Sequence, residues 1–205
     1  MSRSQGDEPM DWKDYVTIAH ELKKNLSESR YVHSLGVAYT ASALAMRYGY
    51  AQDRALLAGL LHDCAKDLSD KDNIALIRSG GAEPTEYELE NPKLLHAGGG
   101  YVLARTKYGL RDEELLRAIR YHTTGKPDMT LIEQIIYVAD YIEPKRDHAS
   151  NLDYVRYLAF TDLEACMVQI LSDTVKHLAN THRTTDPGTI ETYEYYQKKI
   201  IGRSI

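Results

Sequence analysis

The chain has 205 residues, 43% apolar and 27% charged, enough for one domain with a full core and appended helices but short for two independent domains. No stretch approaches the roughly 20 apolar residues of a membrane helix, and the acidic N-terminus lacks a signal-peptide layout, so a soluble cytoplasmic protein with no membrane partner is expected. The 25 basic against 30 acidic residues, net −5, disfavour a nucleic-acid partner, and Cys64 and Cys166 form no CxxC pair, so any metal is held by nitrogen and oxygen.

The hydrophobic period is helical nearly throughout, which predicts an all-α protein: a flexible N-terminus over 1–10 and one helical domain over 11–205. Asp11 caps a first helix with the stripe Trp12, Tyr15, Val16, Ala19, Leu22 and Leu26. A second, from about Glu28 to Tyr48, carries the stripe Val32, Leu35, Tyr39, Ala43 and Met46 and stops at Gly49. The third starts near Asp53, is apolar on nearly every side, and ends in His62-Asp63, so it is expected to be central and buried. Asp70 to Arg78 is a short helix closed by Gly80-Gly81, Ala82 to Glu90 reads as an acidic loop, and Asn91-Pro92 opens a helix with Leu94, Leu95 and His96. Asp112 caps a helix with Leu115, Ile119 and His122 on one face. Thr130 and Glu133 form a capping box for a helix that Pro144 ends just beyond Asp140. Asp162 opens a long amphipathic helix through Leu163, Cys166, Ile170, Leu171, Val175 and Leu178, and Asp186-Pro187 starts the last. The total is eight to ten helices and no strand. Of the 16 tyrosines, Tyr193, Tyr195 and Tyr196 could mark a homodimer contact, and packing of the last helix is the favoured reading.

His62-Asp63 alone means little, since a polar helix end is common. One histidine in an apolar setting is usually a hydrogen-bonded core residue. His33, His62, His96 and His122 together with Asp63 and Asp140 are different, because several buried rings and carboxylates need partners and one metal serves them all. Imidazole and carboxylate suit Fe, Mn, Co, Ni or Zn, and an Asp can bridge two ions about 3.5 to 4 Å apart.

His33, His62-Asp63 and Asp140 follow the H…HD…D pattern of the HD-domain superfamily of all-helical metal-dependent phosphohydrolases. The blocks His33-Ser-Leu-Gly-Val37, Ala58-Gly-Leu-Leu-His-Asp63 with Lys66, Leu94-Leu-His96, Ile119-Arg-Tyr-His-Thr-Thr-Gly125 and Ala139-Asp-Tyr-Ile-Glu-Pro144 resemble, in that order and spacing, the YqeK family. The resemblance runs from about residue 16 to 192. It implies an HD-type helical bundle with additional C-terminal helices that splits diadenosine tetraphosphate symmetrically into two ADP, using one or two bound iron ions.

By that resemblance His33, His62, Asp63 and Asp140 are metal ligands, with His96 and His122 as further candidates. Asp63, Lys66 and His122 are the catalytic groups, and substrate is contacted by His33, Asp63, Lys66, His96, His122, Thr123, Asp140, Arg146 and the segment Asp186, Pro187, Gly188, Thr189, Ile190, Glu191. Lys66 lies one turn beyond His62 if the helix continues, and Arg146 offers a fork suited to phosphate oxygens. Lys126 and Arg120 read as solvated surface charge. The family segment often reads His-Pro-Asp-Thr-Ile-Glu-Ala-Arg-Asn; here Asp186, Gly188, Thr192, Tyr193 and Glu194 depart from it, which bears on nucleoside recognition and not on the metal site. The rival readings are an HD phosphohydrolase of nucleotide monophosphates or cyclic dinucleotides, the latter weakened by the absence of a His-His-Glu run or a Gly-Tyr-Pro signature, a non-catalytic nucleotide sensor, and a helical interaction module with core histidines.

Overall fold

The computed structural model describes residues 12–147, 149–181 and 184–203; the 1–10 segment and the Asp11 cap expected above lie outside them. Eleven α-helices and no strand occur among the described residues, one more helix than the expected upper bound. They are α1 (Trp12–Asn25), α2 (Glu28–Tyr48), α3 (Gln52–Leu61), α4 (Asp70–Ser79), α5 (Glu86–Glu90), α6 (Leu95–Thr106), α7 (Glu113–Tyr121), α8 (Leu131–Ile142), α9 (Leu152–Thr161), α10 (Leu163–Asn180) and α11 (Pro187–Arg203), with a 3₁₀ turn at Pro92–Leu94.

Side-chain caps fix many of the starts. Asp112 accepts from Glu114 and Leu115 N–H, Asp162 from Ala165 N–H and Asp186 from Thr189 N–H, while Thr130 and Glu133 close the expected capping box. A second box, Thr85 with Glu88, turns part of the expected acidic loop into α5. Asn91 makes no side-chain cap, and the 3₁₀ turn precedes α6 in its place. The helix α9 was not expected, because Tyr154, Tyr157 and Phe160 point outward and break its apolar stripe.

The core is built on α3, which packs against α2, α7 and α8, while α10 covers α8 and carries α9 and α11. Two expected faces are corrected. In α1, Tyr15, Ala19, Leu22 and Leu26 are buried but Val16 is exposed. In α2 the buried face is Val37, Ala38, Ala41, Leu44 and Ala45, and the larger Val32, Tyr39 and Met46 face outward. Small side chains win that face because α3 comes very close: a Cβ on Gly59 would stand 2.7 Å from the Ala38 Cα.

The helices α3 and α7 run side by side in the same direction. Arg54 near the start of α3 pairs with Asp112 and Glu114 at the start of α7, at 2.5 and 2.9 Å. Their lengths, 10 and 9 residues, nearly match, so their C-caps, His62 and His122, meet with ring centroids 5.0 Å apart. Tyr196 of α11 is fully buried and its hydroxyl accepts the Met129 N–H, in line with packing of the last helix. No helix among the described residues is long and apolar enough to cross a membrane.

The α2–α3 contact is backbone against backbone and cannot yield by rotating a side chain. Gly59→Ala is therefore expected to destabilise the protein by about 1–3 kcal/mol, read as a lower midpoint in chemical denaturation; an unchanged midpoint contradicts this packing.

Candidate metal centre

Four histidines and two aspartates reach one buried point from five places in the fold. His33 projects from the second turn of α2, His62 caps α3 and Asp63 follows it, His96 lies in the first turn of α6, His122 caps α7 and Asp140 lies in the last turn of α8. All four rings and Asp63 are buried.

The ring protons can be assigned from the partners. The Nδ1 of His62, His96 and His122 each lies 2.7 Å from a backbone carbonyl three residues earlier, on Gly59, Lys93 and Ile119. A carbonyl only accepts, so each Nδ1 carries the proton and donates it. His33 Nδ1 donates in the same way to Glu143 Oε1 at 3.0 Å. Every Nε2 is left with a lone pair, and these lone pairs converge. His33 and His62 Nε2 are 3.3 Å apart, and His96 and His122 Nε2 are 3.2 Å apart.

Asp63 stands between the pairs. Its Oδ2 is 3.7 and 3.5 Å from His33 and His62 Nε2, and its Oδ1 is 3.1 and 3.4 Å from His96 and His122 Nε2. Asp140 Oδ1 joins the first pair, 3.1 Å from His33 and 3.8 Å from His62. Donors around a tetrahedral or octahedral ion with bonds of about 2.1 Å stand about 3.0 to 3.4 Å apart, which is close to these spacings. Asp63 Oδ1 is buried with no hydrogen-bond donor, because its neighbours present lone pairs. A cation is the partner that satisfies such a set, and three helix C-termini, those of α3, α7 and α8, end at it with their partial negative charge. The residues present fit a metal on both sides of Asp63.

Burial alone would raise the Asp140 carboxyl, but the Arg146 guanidinium, donating to it at 2.5 Å, helps to hold it below the usual carboxylate range. Burial pushes the His96 ring down to about 4 against the pull of Asp63.

Three cations rim the donors. Arg30 donates to Asp63 Oδ2 at 2.7 Å, and Arg146 to Asp140 Oδ1 at 2.5 Å and to the Asp140 carbonyl at 2.9 Å. Lys66 Nζ lies 3.1 Å from His96 Nε2, and burial lowers its pKa. The helix α3 ends at Leu61, next to the expected His62-Asp63 end, and successive tight turns, Cys64 N–H to Leu61 and Lys66 N–H to Asp63, bring the ammonium to the site in place of a further helical turn. Arg30 and Glu143 carry no local motif that assigns them a role. Each does sit three residues from a candidate metal donor, Arg30 before His33 and Glu143 after Asp140, and that spacing is the signal the sequence holds.

Next to the centre, the Thr123 hydroxyl is buried without a partner. Thr189 donates its hydroxyl to the Thr124 carbonyl at 3.1 Å, which fixes the start of α11 against the turn that follows His122. Asp186, Pro187, Gly188 and Glu191 line a cleft of about 550 Å³ with Tyr87 and Tyr121 on its walls, whereas Ile190 is exposed and not among the lining residues. Arg120 and Lys126, read above as solvated, line the same cleft and are paired, Arg120 with buried Glu88 at 2.9 Å and Lys126 with buried Glu133 at 3.3 Å. Glu194 pairs at 3.7 Å with Lys198 on the outer side of α11, and Tyr193 accepts from Gln197 at 3.1 Å.

In comparisons with known proteins, residues 30–145 match the HD domain family. The chain is 41% identical over 174 residues to the symmetrical bis(5'-nucleosyl)-tetraphosphatase of Bacillus subtilis (strain 168), covering 85% of this chain and 92% of that one. It is 38% identical to the protein of the same name from Staphylococcus aureus, over 85% of this chain and 90% of the relative. A crystal structure from Clostridium acetobutylicum, described as that of a predicted HD superfamily hydrolase involved in NAD metabolism, superposes with a TM-score of 0.87 at 39% identity, over 90% of this chain and 97% of that one.

The His96 ring gives the metal-free protein a pH signature. The unfolded chain binds a proton on this ring near 6.5 and the folded chain only near 4, so stability drops as the pH falls through that window. Metal-stripped protein is expected to melt at a lower temperature at about pH 5 than at about pH 7, and His96→Gln to shrink the difference. Equal melting temperatures for the wild-type chain at both values would contradict this environment for His96.

Proposed function

The chain belongs to the HD-domain family and, within it, to the symmetrical bis(5'-nucleosyl)-tetraphosphatases of the YqeK family, and from that membership we propose that it is a metal-dependent hydrolase cleaving diadenosine tetraphosphate into two ADP. The observation that carries this reading is the 41% identity over 92% of the Bacillus subtilis enzyme. Water adds across the central anhydride, the P–O bond between the second and third phosphates breaks, and each half leaves as ADP.

In this reading His33, His62, Asp63 and Asp140 would hold a metal, and His96 and His122 with Asp63 would hold a second. An ion held there supplies Lewis acidity, which acidifies a water and offsets phosphate charge. We assign iron to the site; its nitrogen and oxygen donors also suit Mn, Co, Ni and Zn. The charge balance supports a metal. Arg30, Lys66 and Arg146 offset the carboxylates of Asp63, Asp140 and Glu143, so the protein part of the centre is close to neutral and metal charge is needed to attract a tetraphosphate.

The side chains divide the remaining work. Asp63 orients the attacking water and Lys66 offsets charge on the phosphate oxygens, with Arg30 and Arg146 turning from carboxylate to phosphate; His122, its Nδ1 proton already given to the Ile119 carbonyl, serves as a metal donor. Thr123 has a free hydroxyl to donate. At the start of α11, Asp186 takes the Thr189 N–H and Thr124 takes its hydroxyl, so that turn suits hydroxyl donors of a ribose better than an anion. The cleft between Tyr87, Tyr121 and the Asp186–Glu191 segment is where this reading seats a nucleoside. The two buried free thiols, Cys64 and Cys166, support a cytoplasmic setting.

The test is chromatographic product analysis under anaerobic conditions, with diadenosine tetraphosphate as substrate and AMP, a cyclic dinucleotide and NAD for comparison. ADP as sole product supports the reading, and turnover of a comparison substrate alone overturns it. His62→Ala and Asp63→Ala are each expected to lose metal and more than about 100-fold in turnover, beyond the cost of outer contacts, while staying helical by circular dichroism. Full metal content with full turnover in either variant would sink the assignment.

A further inference from the structure

Three of the four histidines orient themselves on local backbone. His62 and His122 cap their own helices, and His96 follows the 3₁₀ turn, so a carbonyl three residues back is free to accept. His33 cannot do this, because it lies inside α2 where the carbonyls behind it belong to the helix ladder. Its Nδ1 uses a carboxylate 110 residues away, Glu143 Oε1 at 3.0 Å.

Glu143 is held for that contact. It is 2% exposed, its Oε2 accepts the Lys145 N–H at 2.7 Å, and it sits one turn after Asp140 at the end of α8. Arg156 of α9 clamps the same corner by donating to the carbonyls of Ile142, Glu143 and Arg146 at 3.1 to 3.2 Å. The space on the α2 side is kept by Gly36, one turn after His33: a Cβ there would stand 2.6 Å from Glu143 Oε2.

The geometry points to Glu143 as a positioning residue that fixes the ring and tautomer of His33 and raises its strength as a ligand, with Gly36 as the clearance it requires. A carboxylate behind an imidazole makes the distal nitrogen a better donor than a carbonyl does. The His33, His62 and Asp140 half of the centre thereby gains over the His96 and His122 half, where both rings donate to backbone carbonyls and Lys66 adds positive charge beside His96. This inference rests on the reading of the cluster as a metal centre.

The test measures Mn²⁺ affinity by chelator competition on the full chain, together with melting of the metal-free protein, for wild type, Glu143→Ala, Glu143→Gln and Gly36→Ala. Glu143→Ala is expected to weaken Mn²⁺ binding by about 10- to 100-fold. Glu143→Gln, whose amide oxygen can still accept from Nδ1, is expected to recover part of that loss. Gly36→Ala, which changes no polar group, is expected to weaken binding by pushing the carboxylate aside. A Glu143→Ala protein that melts lower without metal yet binds Mn²⁺ as tightly as wild type shows a merely structural role and overturns the inference alone. A wild-type chain that takes up no Mn²⁺, Fe²⁺ or Co²⁺ overturns the metal reading and the inference with it.

Discussion

The site depends on the direction of four N–H bonds. Each Nδ1 of His33, His62, His96 and His122 donates outward, and each Nε2 therefore turns a lone pair inward on Asp63. Lone pairs and carboxylate oxygens that face one another in a buried space repel unless a cation joins them. The fold accepts that local conflict at one point, and the surrounding helices are arranged to hold it.

The arrangement begins far from the chemistry. Arg54 pins the starts of α3 and α7, their similar lengths carry His62 and His122 to the same level, and the glycine contact between α2 and α3 brings His33 against them. The end of α8 supplies Asp140 and Glu143 from one helical turn, with Arg146 just beyond. Rigid elements thus place every donor, and three positions that depart from the family pattern lie apart from them, Asp186 and Gly188 at the cleft beside Tyr121 and Glu194 on the exposed side of α11.

Much of this was legible in the sequence. Helix starts with a side-chain cap, at Asp112, Thr130, Asp162 and Asp186, fall where the residues predict, and the four histidines and two aspartates singled out by their apolar settings do come together. The differences have separate physical causes. The buried face of α2 was misread because close approach to Gly59 favours alanines over the larger Val32, Tyr39 and Met46. The α9 helix was missed because its tyrosines face outward, and α5 because its acidic residues hide a capping box that starts at Thr85. Arg30 and Glu143 reach partners 33 and 110 residues away, and no local pattern names such partners.

If inward Nε2 lone pairs around Asp63 make a metal centre, crystals grown with Fe²⁺ or Mn²⁺ will show anomalous density in contact with His33 and His62 Nε2 and an oxygen of Asp63. Crystals of metal-exposed protein with no such density, and with the two Nε2 atoms still in direct contact, would contradict it.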